Sequence, residues 1–393
     1  MHGFALAMNA SNGILPRPPH DESFLRGAGP LRIRKSLLAW LSLLPLGLAA
    51  VAVLPDFLPI HYTIDAQLIR DYIVREANHL ELGVGEFYAN TAYVYVMFGV
   101  GAHPLLGGMF TYVTAWLSVF VALAVAANGG RFWLWWPACG WHLLLVIFTC
   151  MHSKEVHAMP ALALALVLCG RRFTWRRVAA IGVVVLLYAL YFRYYWALVG
   201  LLAASFIVLR HRVTDPKRLA LAMAAVYVLM FVAYHAVTND YLTAIRVVLT
   251  ANRDVDLFSD SVFYNSLDAD SVLNDIFNAA FGFVRLVMPF ALLAIGKPQY
   301  FLFIAWEVAN VVAFAWLFAR AWRGPETDAR TAFAAAWILA FTLVQGIFEA
   351  DYGTFLRHQT TLLPALALLA VNTIWWPSGV RRTRADARAP SSA

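Results

Sequence analysis

The segment TAFAAAWILAFTLVQGIFE, residues 331–349, decides the fold class of this chain. It contains no lysine, arginine or aspartate, and its single glutamate is the last residue. An α-helix of this length rises about 28 Å, close to the roughly 30 Å thickness of the hydrocarbon core of a bilayer. The segment therefore predicts a membrane-spanning helix.

The composition extends this prediction to most of the chain. Of its 393 residues, 61% are hydrophobic and 13% are charged, and the mean hydropathy is +0.66. One globular core could not bury so much apolar surface, and the ten-residue alternation of barrel strands is absent from the sequence. We expect an all-α, polytopic integral membrane bundle with about ten transmembrane helices. The ten apolar runs lie at about 36–60, 108–128, 132–151, 157–170, 178–192, 196–209, 218–237, 299–319, 331–349 and 360–376.

The distribution of positive charge predicts the orientation. If the N-terminus is cytoplasmic and the ten runs alternate, 21 of the 30 lysines and arginines face the cytoplasm, as the positive-inside rule requires. The C-terminus is then cytoplasmic as well. The formal charge of +7 follows from this topology, so the basic character does not indicate nucleic-acid binding. The cytoplasmic cations lie at 17–35, 131, 171–177, 210–218, 320–330 and 381–388.

This topology divides the chain into three parts. Residues 1–35 are rich in Pro, Gly, Ser and Asn and predict a disordered cytoplasmic segment. We expect residues 36–376 to form a transmembrane domain with an outer loop at 238–279, and residues 377–393 to form a basic cytoplasmic tail. Ala50-Val51-Ala52 is similar to a signal-peptidase site, but the apolar run continues past it, which favours an uncleaved anchor.

Two apolar segments do not fit a simple span count. Residues 88–107 and 278–297 are interrupted by Gly, Pro or Arg285. If either were one full span, the cations that follow it would lie on the opposite side of the membrane. We interpret both as re-entrant or interfacial segments on the outer side, where irregular backbone can line a cavity. The alternative is that each is a true span and that one cytoplasmic loop is misassigned.

Ionisable residues accumulate at the predicted outer ends of the helices. Asp65 lies in the first outer loop, Lys154 and Glu155 lie in HSKEVH, and Arg193 lies in YFRYYW. A charge near hydrocarbon costs several kcal/mol unless it is paired or hydrated, so these residues are candidates for a functional site. The alternatives are an arginine that extends to lipid phosphates and a solvated Lys154–Glu155 turn with Ser153 as helix N-cap.

The stretch DYGTFLRHQ, residues 351–359, supplies three more candidates. Its spacing allows a carboxylate, a fixed cation and a titratable base to meet in one short loop: Asp351, Arg357 and His358. We expect them to face a water-filled cavity at the outer boundary of the membrane. Glu307 and His235 lie inside predicted spans, and we expect each to be paired within the bundle.

The sequence provides little support for a metal site. The loop at 238–279 is acidic, and its DVD and DAD triplets are similar to the DxD motif of nucleotide-sugar enzymes, but the predicted outer location lacks nucleotide sugars. An EF-hand would need a glycine and a glutamate that are missing here, so a solvated acidic loop is expected. The three cysteines, Cys139, Cys150 and Cys169, lie in apolar runs without a zinc-ligand or disulfide spacing.

Several short motifs resemble those of one class of bacterial membrane protein. SKE after a membrane helix, FRYY between two short runs, MPF after the outer loop and GTFLRHQTTLLP before the last run together resemble polysaccharide polymerases of the O-antigen and exopolysaccharide type. The resemblance covers about 36–376, and the Arg357-His358 element is its most specific part. These polymerases are related in design to membrane glycosyltransferases that use lipid-linked sugars.

The resemblance implies a multi-pass enzyme of the bacterial inner membrane. It would join sugar repeat units on undecaprenyl pyrophosphate at the periplasmic face without a metal, a nucleotide sugar or another cofactor. Its expected partners are the lipid-linked oligosaccharide, membrane lipids, a flippase and a chain-length regulator. One departure matters: such enzymes often have arginine-rich outer loops, whereas the loop at 238–279 is acidic.

The expected chemistry assigns roles to seven residues. Cations would stabilise the departing pyrophosphate, and a base would remove the proton of the attacking hydroxyl. Arg357, Arg193 and Lys154 are the pyrophosphate-binding candidates, and Asp65, Glu155, His358 and Asp351 are the catalytic candidates. Asp65, Glu155 and His358 remain unranked as the base, although the analogy with lipid-sugar transferases favours an aspartate in the first outer loop.

Three other functions stay open. A polytopic transferase could add one sugar from a polyprenyl-phosphate donor. A flippase or exporter of lipid-linked glycans would need polar residues along its path through the membrane. The predicted spans are mostly apolar, and Glu307 is the main exception. A non-catalytic assembly partner would tolerate neutral substitutions at Asp351, Arg357 and His358.

Overall fold

The computed structural model describes residues 35–76, 81–126, 135–213, 215–254, 261–323 and 327–374. The predicted all-α class is confirmed: these residues form helices and contain no β-strand, only an isolated bridge between Val262 and Asp351. Residues 1–34, the predicted tail at 377–393 and part of the DVD triplet lie outside the described ranges. The helices are α1 (Lys35–Val53), α2 (Ile60–Glu76), α3 (Phe87–Met97), α4 (Pro104–Val125), α5 (Trp135–Thr149), α6 (Glu155–Cys169), α7 (Trp175–Tyr191), α8 (Tyr195–Arg212), α9 (Pro216–Thr238), α10 (Ala244–Asp254), α11 (Val272–Val287), α12 (Pro298–Arg323), α13 (Ala329–Phe348), α14 (Tyr352–Thr360) and α15 (Leu363–Ile374).

Five helices in the described residues are long and apolar enough to cross a membrane. The protein is therefore a membrane protein in its coarse architecture. Each of the ten apolar runs contains a helix, but α5, α6, α7 and α15 are shorter than a typical span. The count of ten spans and the cytoplasmic termini stay predictions. The five long segments are Ser36–Asp56, Pro104–Val125, Pro216–Thr238, Pro298–Trp322 and Ala329–Phe348.

Helix α13, which contains residues 331–348, is the centre of the bundle. In its most apolar window 78% of the residues are buried, compared with 17% for α9 and α12. Its alanines, including Ala334, Ala335 and Ala336, allow neighbouring backbones to approach closely. Trp337 packs against Trp196 of α8 with ring centroids 5.1 Å apart. The helix with the most alanine-rich face is thus the one that others surround.

Hydrogen bonds join the loops at one end of the bundle. The amide of Ala329 donates to the Arg171 carbonyl at 3.1 Å, and Arg330 Nη1 donates to the Val125 carbonyl at 2.9 Å. Arg210 Nη2 similarly donates to the Ala321 carbonyl at 3.3 Å. These contacts gather loops with predicted cytoplasmic cations around the start of α13.

The two segments that were expected to be irregular are broken in the structure. Residues 88–107 divide into α3, a turn in which Gly99 has a φ of 68°, and the first turn of α4. Residues 278–297 contain the end of α11 and a short 3-10 helix at Phe290–Ile295. Neither segment forms one helix of spanning length, and their position relative to the bilayer stays a prediction.

The region at 238–279 differs from a fully solvated loop, because it contains α10 and the first half of α11. On α11 the buried face includes polar residues, with Asp275 and Asn278 each about 1% exposed, whereas Leu273 and Val284 are exposed. Helix α10 also has an inverted pattern of burial, in which a charged side chain is inside: Arg246 is 1% exposed. An exposed apolar face with a buried polar face is the pattern of a helix in contact with lipid.

Candidate functional site

Five ionisable side chains from distant parts of the chain form one network. We call this network the charged cluster; it consists of Asp65 of α2, Lys154 and Glu155 at the start of α6, Arg193 between α7 and α8, and Arg357 of α14. It lies near the end of α13 opposite to the Arg171 and Arg330 contacts, because α14 follows that end. The cluster thus contains five of the seven candidate residues.

Asp65 links two of the cations. Its Oδ2 pairs with Arg357 Nη1 and lies 3.3 Å from Lys154 Nζ. Tyr88 of α3 donates its hydroxyl hydrogen to Asp65 Oδ1, while Lys154 Nζ donates to the Tyr88 oxygen at 2.9 Å. With 18% of its side chain exposed, Asp65 is one of the more accessible members. Lys154 and Glu155 therefore do not form the solvated pair that was one alternative.

Glu155 and Arg193 form the buried half of the cluster. Glu155 is fully buried, and Arg193 Nη2 donates to both of its carboxylate oxygens, at 2.9 and 3.1 Å. Arg193 Nη1 donates to the Tyr195 hydroxyl at 2.8 Å. Arg193 therefore points into the protein and does not extend to lipid phosphates. This paired geometry fixes the guanidinium in one orientation.

Arg357 has one donor that the protein leaves unused. Its Nε is buried and has no hydrogen-bond partner among the described residues. Glu155 Oε1 lies 3.7 Å from this nitrogen, beyond hydrogen-bond distance. A ligand oxygen that accepted from Nε would satisfy a costly buried donor, so Arg357 is suited to bind an anionic group.

His358 lies beside the cluster and belongs to a second polar pair. Its Nδ1 lies 2.8 Å from Glu349 Oε2 and 3.1 Å from Gln345 Oε1. A carboxylate at Nδ1 places the imidazole proton there and leaves Nε2 as the nitrogen that can accept a proton. This is the arrangement of a general base with an orienting carboxylate.

Asp351 has a different position from the other candidates. Its Oδ1 accepts from the Thr354 amide at 2.7 Å and its Oδ2 accepts from the Thr354 hydroxyl at 2.8 Å. Asp351 is thus the N-cap of α14. Its geometry favours a positioning role through the helix that carries Arg357 and His358.

The two ionisable residues inside predicted spans have distinct surroundings. Glu307 of α12 accepts a hydrogen bond from Gln359 of α14, with 2.9 Å between the two atoms. His235 lies in the last turn of α9, where Nδ1 is 3.2 Å from the Asp240 carbonyl and the ring stacks on Tyr241. Glu307 is therefore paired within the bundle, whereas His235 is paired at a helix end.

Close packing fixes the turn that carries Lys154. A Cβ atom at Gly108 of α4 would lie 2.3 Å from the Cys150 carbonyl oxygen, so only glycine allows this approach. The Tyr95 hydroxyl accepts from the Ser153 amide at 2.8 Å and donates to the Ser153 carbonyl at 3.1 Å. Asn90, which is fully buried, connects α3 to the end of α7 by donating to the Tyr191 carbonyl.

Burial and charge change the pKa values of three groups. Burial alone would raise the pKa of Asp65, but Arg357 and Lys154 outweigh it and hold this pKa well below its usual range. Burial lowers the pKa of Lys154 to about 8 although Asp65 opposes the change. Burial also lowers the pKa of His358, and Glu349 offsets only part of that effect. At neutral pH, Asp65 is ionised and His358 is a neutral base.

Sequence reasoning missed two polar residues of this region, Tyr88 and Glu349. Tyr88 lies in an apolar, aromatic segment, and nothing in its spacing indicates a contact with Asp65. Glu349 ends the apolar run 331–349 only two residues before Asp351, so its position at a helix end was a usable signal. Among the described residues, no group of three or more His, Cys, Asp or Glu side chains could hold a metal ion.

Comparisons with known proteins do not identify a family. No family model, curated protein or solved structure matches this chain.

Proposed function

We propose that the protein is a membrane glycosyltransferase of the polysaccharide-polymerase type, acting on a lipid-linked oligosaccharide at the outer face of the bacterial inner membrane. The resemblance in the sequence suggests undecaprenyl pyrophosphate as the lipid carrier. A flippase and a chain-length regulator are the partners that this role implies.

One observation carries the proposal: Lys154, Arg193 and Arg357 meet in a partly exposed site with only two carboxylates, Asp65 and Glu155. The cluster therefore has one formal positive charge in excess, and it lies at one end of a bundle of apolar helices. A pyrophosphate group attached to a membrane lipid has the matching charge and location.

Binding of the pyrophosphate would rearrange the cluster. Phosphate oxygens can accept from Arg357 Nε and can replace Asp65 as the partner of Arg357 and Lys154. Arg193 would stay on Glu155, which keeps the buried part of the site rigid. This exchange places cations on the leaving group, where negative charge develops during transfer.

We assign the base to His358 because Glu349 holds its Nδ1 and leaves Nε2 to accept a proton. The acceptor hydroxyl oxygen would attack the anomeric carbon, and its proton would pass to His358 Nε2. The bond between that carbon and the pyrophosphate oxygen would break, with both electrons leaving on the pyrophosphate. Glu349 would hold the imidazole and stabilise the imidazolium.

The test is mass spectrometry of lipid-linked glycans from a strain that lacks this gene. We expect a complete single repeat unit to accumulate on the periplasmic side. Wild-type protein should restore long chains, whereas Arg357→Ala should reduce elongation by at least about 10²-fold, the scale of losing one donor to a developing anion. Arg70→Ala, on the exposed face of α2, is the matched control and should behave as wild type.

Other outcomes would replace the proposal. A repeat unit that lacks one sugar would identify a transferase that adds that sugar. A complete unit that stays on the cytoplasmic side would identify a flippase. Full elongation by Arg357→Ala at wild-type abundance would show that the charged cluster is not the site.

A further inference from the structure

A cavity lies within the bundle, on the other side of α14 from the charged cluster. Its volume is about 810 Å³, in the range of small-molecule binding sites. Gln359 borders it, and Gln359 is two residues from Arg357, which places the two side chains about 200° apart on the helix. The cavity is therefore distinct from the candidate active site.

The cavity is an elongated apolar groove. Its lining follows α12 from Glu307 to Phe318, about 16 Å along the helix axis, and follows α15 from Leu363 to Ile374. Side chains such as Val311 and Phe314 line most of it. A groove with this length and lining, formed by helices that cross or approach the membrane, is suited to a hydrocarbon chain.

One end of the groove carries unused hydrogen-bonding atoms. Glu307 is 1% exposed and is the single ionisable residue in the lining that the structure describes. Glu307 Oε1, Asn310 Nδ2 and Gln359 Oε1 are buried without a hydrogen-bond partner among the described residues. Asn310 is three residues from Glu307, so both side chains share a face of α12. We call these three residues the polar end.

Buried polar atoms without partners are costly, so the polar end indicates a ligand with complementary groups. We propose that the groove binds an uncharged lipid with a hydroxyl group at the end of a hydrocarbon chain. The hydroxyl would donate to Glu307 Oε1 and accept from Asn310 Nδ2, because one hydroxyl has both capacities.

The same atoms argue against charged headgroups. A phosphate would face the Glu307 carboxylate with no cation in the described lining to compensate. An ammonium group could donate to Glu307 Oε1 and Gln359 Oε1 but would leave the Asn310 Nδ2 donor without an acceptor, because it has no lone pair. The hydroxyl is the headgroup that satisfies both Glu307 and Asn310.

The test uses purified full-length protein in phosphatidylcholine nanodiscs and photo-crosslinking with a long-chain alcohol that carries a diazirine in its chain. Two matched probes have the same chain, one with a phosphate monoester and one with a primary amine. Mass spectrometry of labelled peptides should place the alcohol on α12 and α15, in competition with unlabelled alcohol. The charged probes should label these peptides about tenfold less.

Variants of the groove make the test specific. Glu307→Leu should reduce alcohol labelling up to about tenfold, the effect of one buried hydrogen bond, whereas Glu307→Gln should stay near wild type. Ala367→Phe should block labelling by filling the groove. Melting temperatures would show that each variant is folded.

The result does not depend on the proposed glycosyl transfer, because labelling is measured without turnover. Arg357→Ala should label as wild type does even if it abolishes elongation. Equal or stronger labelling by the phosphate or amine probe would overturn the assignment of the headgroup. Unchanged alcohol labelling in Glu307→Leu would overturn the site itself.

Discussion

Each cation of the charged cluster is held by a carboxylate, and these pairs decide which residues can bind an anion and which can accept a proton. Asp65 and Glu155 are poor proton acceptors while they are paired with Arg357, Lys154 and Arg193. His358 has only the Glu349 and Gln345 oxygens at Nδ1, and burial keeps it neutral. The division between pairs that bind an anion and a histidine that accepts a proton is thus set by individual contacts.

The rate of glycan elongation should depend on pH at both ends of the neutral range. Activity needs neutral His358, whose pKa is lowered, so it should fall only as the pH drops below the usual histidine range. It also needs charged Lys154, so it should fall as the pH rises through about 8. Initial rates with lipid-linked substrate in nanodiscs would measure this profile. In Lys154→Arg the alkaline fall should move upward, because arginine stays charged; an unchanged alkaline limb would exclude Lys154 as its origin.

Removing the proposed base should lower the rate without removing the substrate. His358→Ala is expected to reduce the rate of transfer by about 10²–10⁴-fold, the usual range for a general base. Glu349→Gln should retain more activity and shift the acidic limb to lower pH, because the Glu349 carboxylate raises the pKa of His358. Rates and substrate binding should be measured separately. A binding defect in His358→Ala with an unchanged rate at saturation would assign this residue to the anion site.

At the scale of elements, α14 connects the functional regions. This nine-residue helix directs Arg357 to the charged cluster, His358 to Glu349 and Gln359 to Glu307. Its first turn is fixed by the Asp351 cap, and the amide of Phe263 donates to the Ala350 carbonyl at 2.9 Å. A short helix with three oriented side chains therefore depends on its cap.

Substitution of Asp351 should separate capping from catalysis. Asp351→Ala should destabilise the protein by about 0.5–2 kcal/mol, the cost of a lost N-cap, and should lower activity by loosening α14. Asp351→Ser retains a capping oxygen and should keep both stability and activity close to wild type. Thermal melting and elongation assays would measure the two effects. Loss of activity in a stable Asp351→Ser variant would show that the carboxylate has a chemical role.

The inverted faces of α10 and α11 should lie in hydrocarbon. A spin label at Val248→Cys should be more accessible to oxygen than to a water-soluble nickel reagent, because its position is exposed and apolar. A label at Asp268→Cys, which is exposed and polar, should show the opposite preference. Both require a background in which Cys139, Cys150 and Cys169 are replaced. Preferential access of the nickel reagent at position 248 would place α10 in water.

At the scale of the whole molecule, the bundle separates two kinds of charge. At the start of α13, arginines such as Arg330 and Arg210 donate to backbone carbonyls, whereas the opposite end carries the charged cluster. If the first kind is cytoplasmic, as the positive-inside rule predicts, the cluster faces outward. This is the orientation that a lipid carrier on the outer leaflet requires.

Labelling of single cysteines in intact cells would test this topology. Asp268→Cys should react with a membrane-impermeant maleimide, and Arg176→Cys should react only after the inner membrane is permeabilised. Both positions are exposed, so the difference would report sidedness. The reverse pattern would invert the topology and place the charged cluster on the cytoplasmic side.

The sequence determined the all-α class and the apolar helices, because those properties depend on composition and on the length of local runs. It also located the two broken segments, through Gly and Pro, and selected Lys154, Arg193 and Arg357 as candidates, although Arg357 lies in helix α14 and not in a loop. It did not indicate the helices α10 and α11 at 238–279, because the acidic count concealed their exposed apolar residues.

Only the tertiary structure decided which charges meet. Asp65 and Arg357 are separated by nearly the whole bundle in sequence, and Tyr88 and Glu349 gain importance only through their contacts. Asp351 and Arg357 are close in sequence, yet one caps α14 and the other points to the cluster. The groove at Glu307 likewise arises from several helices at once. Ion pairs and cavities depend on packing between segments that are distant in sequence. A local sequence pattern does not show which distant segments pack together.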